Sequence, residues 1–136
     1  MKVIVDTCVW SLALRRDVAS NQKIVKELSE LIKDVRVQLI GPIRQEILSG
    51  IKSDLQFSEL RDYLSVFMDL PIETIDYEKA AEFYNTCRKK GIQVSNIDFL
   101  ICALAFHRDF EIFTLDKDFE NIQKIIPIKL YKIMDV

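Results

Sequence analysis

Four acidic residues, Asp6, Glu46, Asp98 and Asp116, have the type and placement in this chain to do chemistry. Asp6 directly follows a short β-branched run at residues 2–5, and Asp116 lies two residues past the strand-like segment 111–114. Glu46 falls in a helical stretch that opens right after the apolar run 37–40, and Asp98 in the first turn of the most apolar helical stretch of the chain. Carboxylates brought together repel one another and resist losing water, so a fold keeps them together when a cation compensates them. Oxygen donors unaccompanied by His or Cys suit a hard ion such as Mg2+ or Mn2+. An ion of that kind can activate a water and stabilise the charge of a phosphodiester transition state. His107 is the sole histidine, which excludes a two-histidine nuclease mechanism; it reads as a surface residue near a helix end.

Each acid also has a plainer reading. Asp6 could cap a helix starting at Thr7, and Ser95-x-x-Asp98 before an apolar run matches a capping box. Asp116 and Asp118 could be turn residues, and Glu46 a solvated helix position. What sets the four apart is their joint placement at strand ends and helix starts.

Those positions require an alternating framework. Strands are expected at 2–5, 37–40, 71–75, 111–114 and 128–133. Helices are expected over 7–14, 24–35 (capped by Ser20 or Asn21), 42–49, onward from Asp54, 77–90, 99–106 and 119–126. Gly50 and Gly91 close two of them. Strands alternating with helices specify an α/β domain around a parallel sheet, in which ligands sit beyond the carboxyl ends of the strands. All four acids could reach that edge.

Composition narrows the class. At 136 residues the chain has the usual size of one domain, expected over 1–136, and 49% apolar content is enough for a core without disulfide or structural metal. Cys8, Cys87 and Cys102 are odd in number and widely spaced, so they read as free buried thiols in a reducing cytoplasm rather than as a zinc site. The opening residues do not read as a signal peptide, and no apolar run approaches a membrane span. The net charge of −2 argues mildly against a tight phosphate-driven binder of nucleic acid. It is compatible with an enzyme that holds its substrate through metal ions and a local basic patch.

The segments around the acids resemble those of the PIN-domain ribonucleases, specifically the VapC-type toxins of toxin–antitoxin pairs. Val3-Ile4-Val5-Asp6-Thr7-Cys8-Val9-Trp10 is similar to the opening strand and acidic segment of that family. Arg44 to Gly50 resembles the second, Ser95 to Ala105 the third, and Thr114-Leu115-Asp116-Lys117-Asp118-Phe119 the fourth. Each is weak alone; four in order over essentially the whole chain are specific. The resemblance implies a PIN-like three-layer α/β fold, a parallel sheet of four or five strands flanked by helices. It implies that Asp6, Glu46, Asp98 and Asp116 are catalytic metal ligands, with Asp118 as a further helper. Thr7 and Thr114 would be polar support beside the metal. It further implies cleavage of RNA with Mg2+ or Mn2+, an antitoxin partner and a homodimer. Arg15, Arg16, Arg44, Lys89 and Lys90 are candidates for phosphate contacts.

Two other readings compete. One is a catalytically inactive PIN-like protein-binding module, with Trp10, Phe57, Phe67 and Phe83 on its docking surface. The other, a receiver-like phosphoryl-transfer domain, needs an acceptor Asp ending a central strand and a partner Lys beyond a later one, and the sequence offers no convincing pair.

Overall fold

The computed structural model describes residues 1–14 and 22–133. Among these, four strands, β1 (Val3–Val5), β2 (Val37–Gln38), β3 (Glu111–Phe113) and β4 (Lys129–Leu130), form one parallel sheet in the order β2-β1-β3-β4. Seven helices flank it: α1 (Thr7–Ala13), α2 (Gln22–Lys33), α3 (Gly41–Leu48), α4 (Asp54–Leu64), α5 (Thr74–Lys89), α6 (Asn96–Arg108) and α7 (Asp118–Gln123). This is the α/β architecture expected, with four strands.

β1 lies at the centre, with Val3, Ile4 and Val5 fully buried, as a near-continuous β-branched run requires in a parallel sheet covered on both faces. Its register sets Val3 against both Val37 and Glu111, and Val5 against Phe113. The chain leaves β1 for β2 on one side, whereas β3 connects to β4 on the other. The carboxyl ends of β1 and β3 therefore frame the topological switch point, where an open α/β sheet leaves a crevice.

α6 is the apolar centrepiece. Phe99 to Ala105 are all buried, and the helix packs along α5, with Tyr84 edge-on to Phe99 and Phe83 edge-on to Phe106. Its first turn is fixed by the capping box expected from sequence, in which the Ser95 hydroxyl accepts from Asp98 N–H at 3.2 Å and the Asp98 carboxylate accepts from Ser95 N–H at 3.3 Å.

The strand expected at 71–75 does not form. A single parallel bridge joins Leu39 to Asp69, and Leu70 N–H donates to Leu39 C=O at 2.9 Å. Pro71 then has no N–H to continue the ladder. Thr74 and Ile75 instead open α5, whose cap is an acidic capping box, Glu73 with Asp76. The last strand is also shorter than expected, two residues of the run 128–133. The expected caps Ser20 and Asn21 lie outside the described residues, as do Arg15 and Arg16.

Asp76 is buried and anchors the far end of α6. Arg108 donates to its two carboxylate oxygens at 2.9 and 3.0 Å, and His107 Nδ1 lies 2.7 Å from Oδ1. The Arg108 guanidinium, together with the Glu73 backbone and His107, holds the Asp76 carboxyl well below the usual carboxylate range. His107 is thus a surface residue near a helix end, as expected, with a structural partner beneath it.

Candidate active site

At the switch point two threonine hydroxyls link the acids in series. Asp6, the N-cap of α1, is largely buried and accepts from its neighbour Thr7 N–H at 2.8 Å. Its other oxygen accepts from the Thr114 hydroxyl at 2.8 Å. Thr114 Oγ1 in turn accepts from Asp116 N–H at 3.1 Å, and an Asp116 oxygen accepts from Asp118 N–H at 2.9 Å. On the other side, the Thr7 hydroxyl donates to Glu46 Oε1 at 3.0 Å. The run Glu46–Thr7–Asp6–Thr114–Asp116 thereby ties α3, the start of α1, the end of β1 and the end of β3 to one crevice.

These contacts follow from local structure. Asp6 N–H donates to Phe113 C=O at 2.9 Å, so the β1–β3 ladder runs one residue past Val5 and sets Asp6 beside Thr114. In α3 the buried Ile43 and Ile47 turn inward, which leaves Glu46 on an exposed position of the crevice rim.

Asp98 enters from the head of α6, half-buried, with its Oδ2 accepting from the Ser95 hydroxyl at 2.9 Å. Burial pushes its carboxyl above the usual range, and the negative charges of Asp6 and Asp116 push it the same way. That mutual repulsion places Asp98 in the electrostatic neighbourhood of the other two. Among the described residues no Lys, Arg or His forms an ion pair with Asp6, Glu46, Asp98, Asp116 or Asp118. Among the described residues, the negative charge of the crevice therefore has no cationic side chain paired to it.

The donor set is carboxylate and hydroxyl oxygen, which fits a hard divalent cation better than zinc. Among the described residues, no three acidic, His or Cys side chains are already gathered as an ion cage. The Asp98 and Asp116 carboxylates are turned to Ser95 and to the Asp118 N–H, the donors at hand. The Asp118 side chain, exposed in the first turn of α7, makes no hydrogen bond among the described residues.

Cys8 is the site residue that sequence reasoning missed, having passed as a buried core thiol. It is half-buried, its Sγ lying 3.6 Å from both Asp6 Oδ2 and Thr114 Oγ1 and accepting from Leu115 N–H at 3.4 Å. Burial pushes the thiol up, so it stays protonated and can donate to Asp6. Its position two residues after Asp6, at the start of a helix, was the available signal.

The candidate phosphate contacts divide. Arg44 is committed elsewhere: it donates to Asp69 at 3.1 and 3.2 Å, to Leu64 C=O at 2.9 Å and to Phe67 C=O at 2.5 Å. It staples α3 to the end of α4. Lys89 and Lys90 are exposed at the end of α5. Three of the four aromatics of the expected docking surface turn inward, while Phe57 is half-buried on α4 outside the core cluster. Trp10 and Phe83 are buried, and Phe67 is half-buried edge-on to Trp10 with ring centroids 5.5 Å apart.

A PIN domain family model matches residues 3–125. The chain belongs to the PIN domain family. Solved structures agree with its fold. This PIN domain is similar to chains in the FitAcB structure from Neisseria gonorrhoeae (20% identity, TM-score 0.77, covering 96% of each chain). It is similar to the VapBC2 structure from Rickettsia felis bound to a DNA fragment from their promoter (18% identity, TM-score 0.76, covering 96% of this chain and 98% of that one). The VapBC-1 structure from nontypeable Haemophilus influenzae is a third (16% identity, TM-score 0.71, 96% and 97% covered). Comparison with curated protein sequences gave no match. Among the described residues of the PIN domain, no helix is long and apolar enough to cross a membrane.

Proposed function

We propose that this PIN-domain chain is a Mg2+- or Mn2+-dependent endoribonuclease, the toxin of a toxin–antitoxin pair. It would act in the cytoplasm as a homodimer and be restrained by its cognate antitoxin. The observation that carries the reading is that Asp6 and Asp116 crowd the half-buried Asp98 at the sheet's switch point, with no cationic side chain among the described residues paired to any of the three. Such a set is costly to keep unless something positive occupies it. The toxin assignment rests on the fold likeness to complexes named FitAcB and VapBC.

Asp6, Glu46, Asp98 and Asp116 would hold the ion, directly or through water, and Asp118 would support it. Bound there, the ion would supply Lewis acidity and a water of lowered pKa. Thr7 and Thr114 orient the carboxylates of Glu46 and Asp6, and Cys8 donates to the same Asp6 oxygen as Thr114. Orientation of this kind typically changes metal affinity or activity by about 10- to 100-fold.

The test is cleavage of a mixed RNA pool with Mg2+ or Mn2+, with and without EDTA, by the wild-type chain and by Asp6→Asn. Cleavage that EDTA and Asp6→Asn both abolish is the expected result. Undiminished cleavage by folded Asp6→Asn rejects the site.

One observation favours a second reading, a binding module without hydrolytic activity: the acids among the described residues are not yet gathered as a cage. A purified chain that forms a stable protein complex yet cleaves no RNA with any divalent metal selects that reading.

A further inference from the structure

Beside the acidic crevice lies a cleft of about 560 Å³ bounded by residues 114–117, by α7 and by the chain after β4. Thr114 and Asp116, already placed at the candidate site, form one wall. The cleft is also lined by Lys117, Lys124 and Lys132, all exposed. None of the three forms an ion pair among the described residues, whereas Lys79 and Lys129 do.

Their arrangement follows from the short helix. Lys117 and Lys124 flank α7, both in right-handed helical backbone, and stand seven positions apart. Seven residues make nearly two full turns, so the two side chains leave the same side of the helix about 10 Å apart along its axis. Phe119 and Ile122, both buried, fix the opposite side to the core. Lys132 follows β4 across the cleft. The walls are held firmly: the Tyr131 hydroxyl donates to Glu27, its ring lies 5.2 Å from Phe113, and Gln123 reaches Ile128 C=O at 3.4 Å. One carboxylate besides Asp116 intrudes. Glu120 sits between the two lysines of α7, three positions after one and four before the other, and it also lines the cleft.

We propose that this cleft is the channel along which a single RNA strand lies, with Lys117, Lys124 and Lys132 on successive phosphates and the strand led over Asp116 into the acidic crevice. The assignment rests on the nuclease reading above and supplies the local basic patch that a chain of net charge −2 requires. It moves the phosphate contacts away from Arg44, which the fold consumes. Glu120 opposes the strand and sets how tightly it is held.

The test measures anisotropy of a short fluorescein-labelled single-stranded RNA against the full chain in EDTA, over a series of KCl concentrations, alongside metal-dependent cleavage. In the triple variant Lys117→Ala, Lys124→Ala, Lys132→Ala, affinity falls at least about tenfold. The slope of log affinity against log salt shrinks by about 2, since each single-strand phosphate contact contributes about 0.7. Glu120→Gln changes binding the opposite way, tightening it about twofold, which no loss of folding can imitate. A wild-type chain that cleaves RNA while the triple variant binds with unchanged affinity and slope overturns the channel and spares the nuclease. A chain that binds through the three lysines yet cleaves nothing supports the channel and rejects the nuclease. A wild-type chain that neither binds nor cleaves RNA overturns both.

Discussion

The Thr114 hydroxyl donates to Asp6 Oδ2 at 2.8 Å across 108 residues of sequence, and this bond joins the ends of the two central strands. Thr114 Oγ1 also accepts from Asp116 N–H, so one side chain positions two of the acids. Thr114→Val keeps the shape of the side chain and removes the hydroxyl. Mn2+ affinity measured by titration calorimetry, and metal-dependent cleavage, should each fall by about 10- to 100-fold, and Thr114→Ser should restore them. Wild-type affinity in folded Thr114→Val would show that the hydroxyl does not orient the site.

Asp98 is held in an environment that disfavours its charge, through burial first and then the charges of Asp6 and Asp116. With its folded pKa above the unfolded one, the metal-free chain loses stability from this group as pH rises through the two values. Asp98→Asn removes the repulsion while retaining an oxygen for Ser95. The metal-free variant should melt no lower than wild type at neutral pH. Saturating Mn2+ should raise the Tm of the wild type and leave that of the variant unchanged. An undiminished rise would remove Asp98 from the ligand set.

Asp76 runs in the opposite sense. Its folded pKa is depressed, so its contribution is fully present above the unfolded value of about 3.9 and is lost as pH falls below that toward the folded value. Asp76→Asn strips Arg108 of its buried partner and should cost about 3 kcal/mol at neutral pH in urea unfolding. The acid-induced loss of stability should be correspondingly flatter in the variant. An equal acid sensitivity in the two proteins would mean that other carboxylates control it.

Val35 occupies the left-handed region at φ 55°, two residues past the end of α2, in a position glycine usually fills. Val35 N–H donates to Ile32 C=O and Arg36 N–H to Leu31 C=O, both at 3.0 Å, which closes the helix. A β-branched residue there is strained, and at 73% exposure it buries little in return. Val35→Gly should stabilise the chain by about 1 kcal/mol, read as a higher urea midpoint with unchanged slope. A lower midpoint would indicate that Val35 makes apolar contacts worth more than the strain.

What could be read from sequence was what neighbouring residues decide. The strand-like runs gave β1 and β3, and the spacing Ser95-x-x-Asp98 gave the head of α6 with its hydrogen bonds. The acids were legible because Asp6 directly follows β1, Asp116 lies three residues past β3, Glu46 falls in the helix after β2, and Asp98 sits in the first turn of the most apolar helix. What tertiary packing decides was not legible. Pro71 ends the pairing after a single bridge, and an acidic cap replaces the Ser or Thr that would have announced α5 at Thr74. Arg44 looked available because its partners, Asp69 and the carbonyls of Leu64 and Phe67, are 20 to 25 residues away. Likewise nothing near Asp76 in sequence announces Arg108, 32 residues on.

The burial of α6 from Phe99 to Ala105 has a consequence for how such a protein can change. The backbone that carries Asp98 at the head of that helix cannot slide or rotate without repacking seven core residues at once. Adjustments to the candidate site therefore have their freedom at Glu46 and Asp116, which stand at solvent, while the backbone of Asp98 is the fixed point to which they adapt.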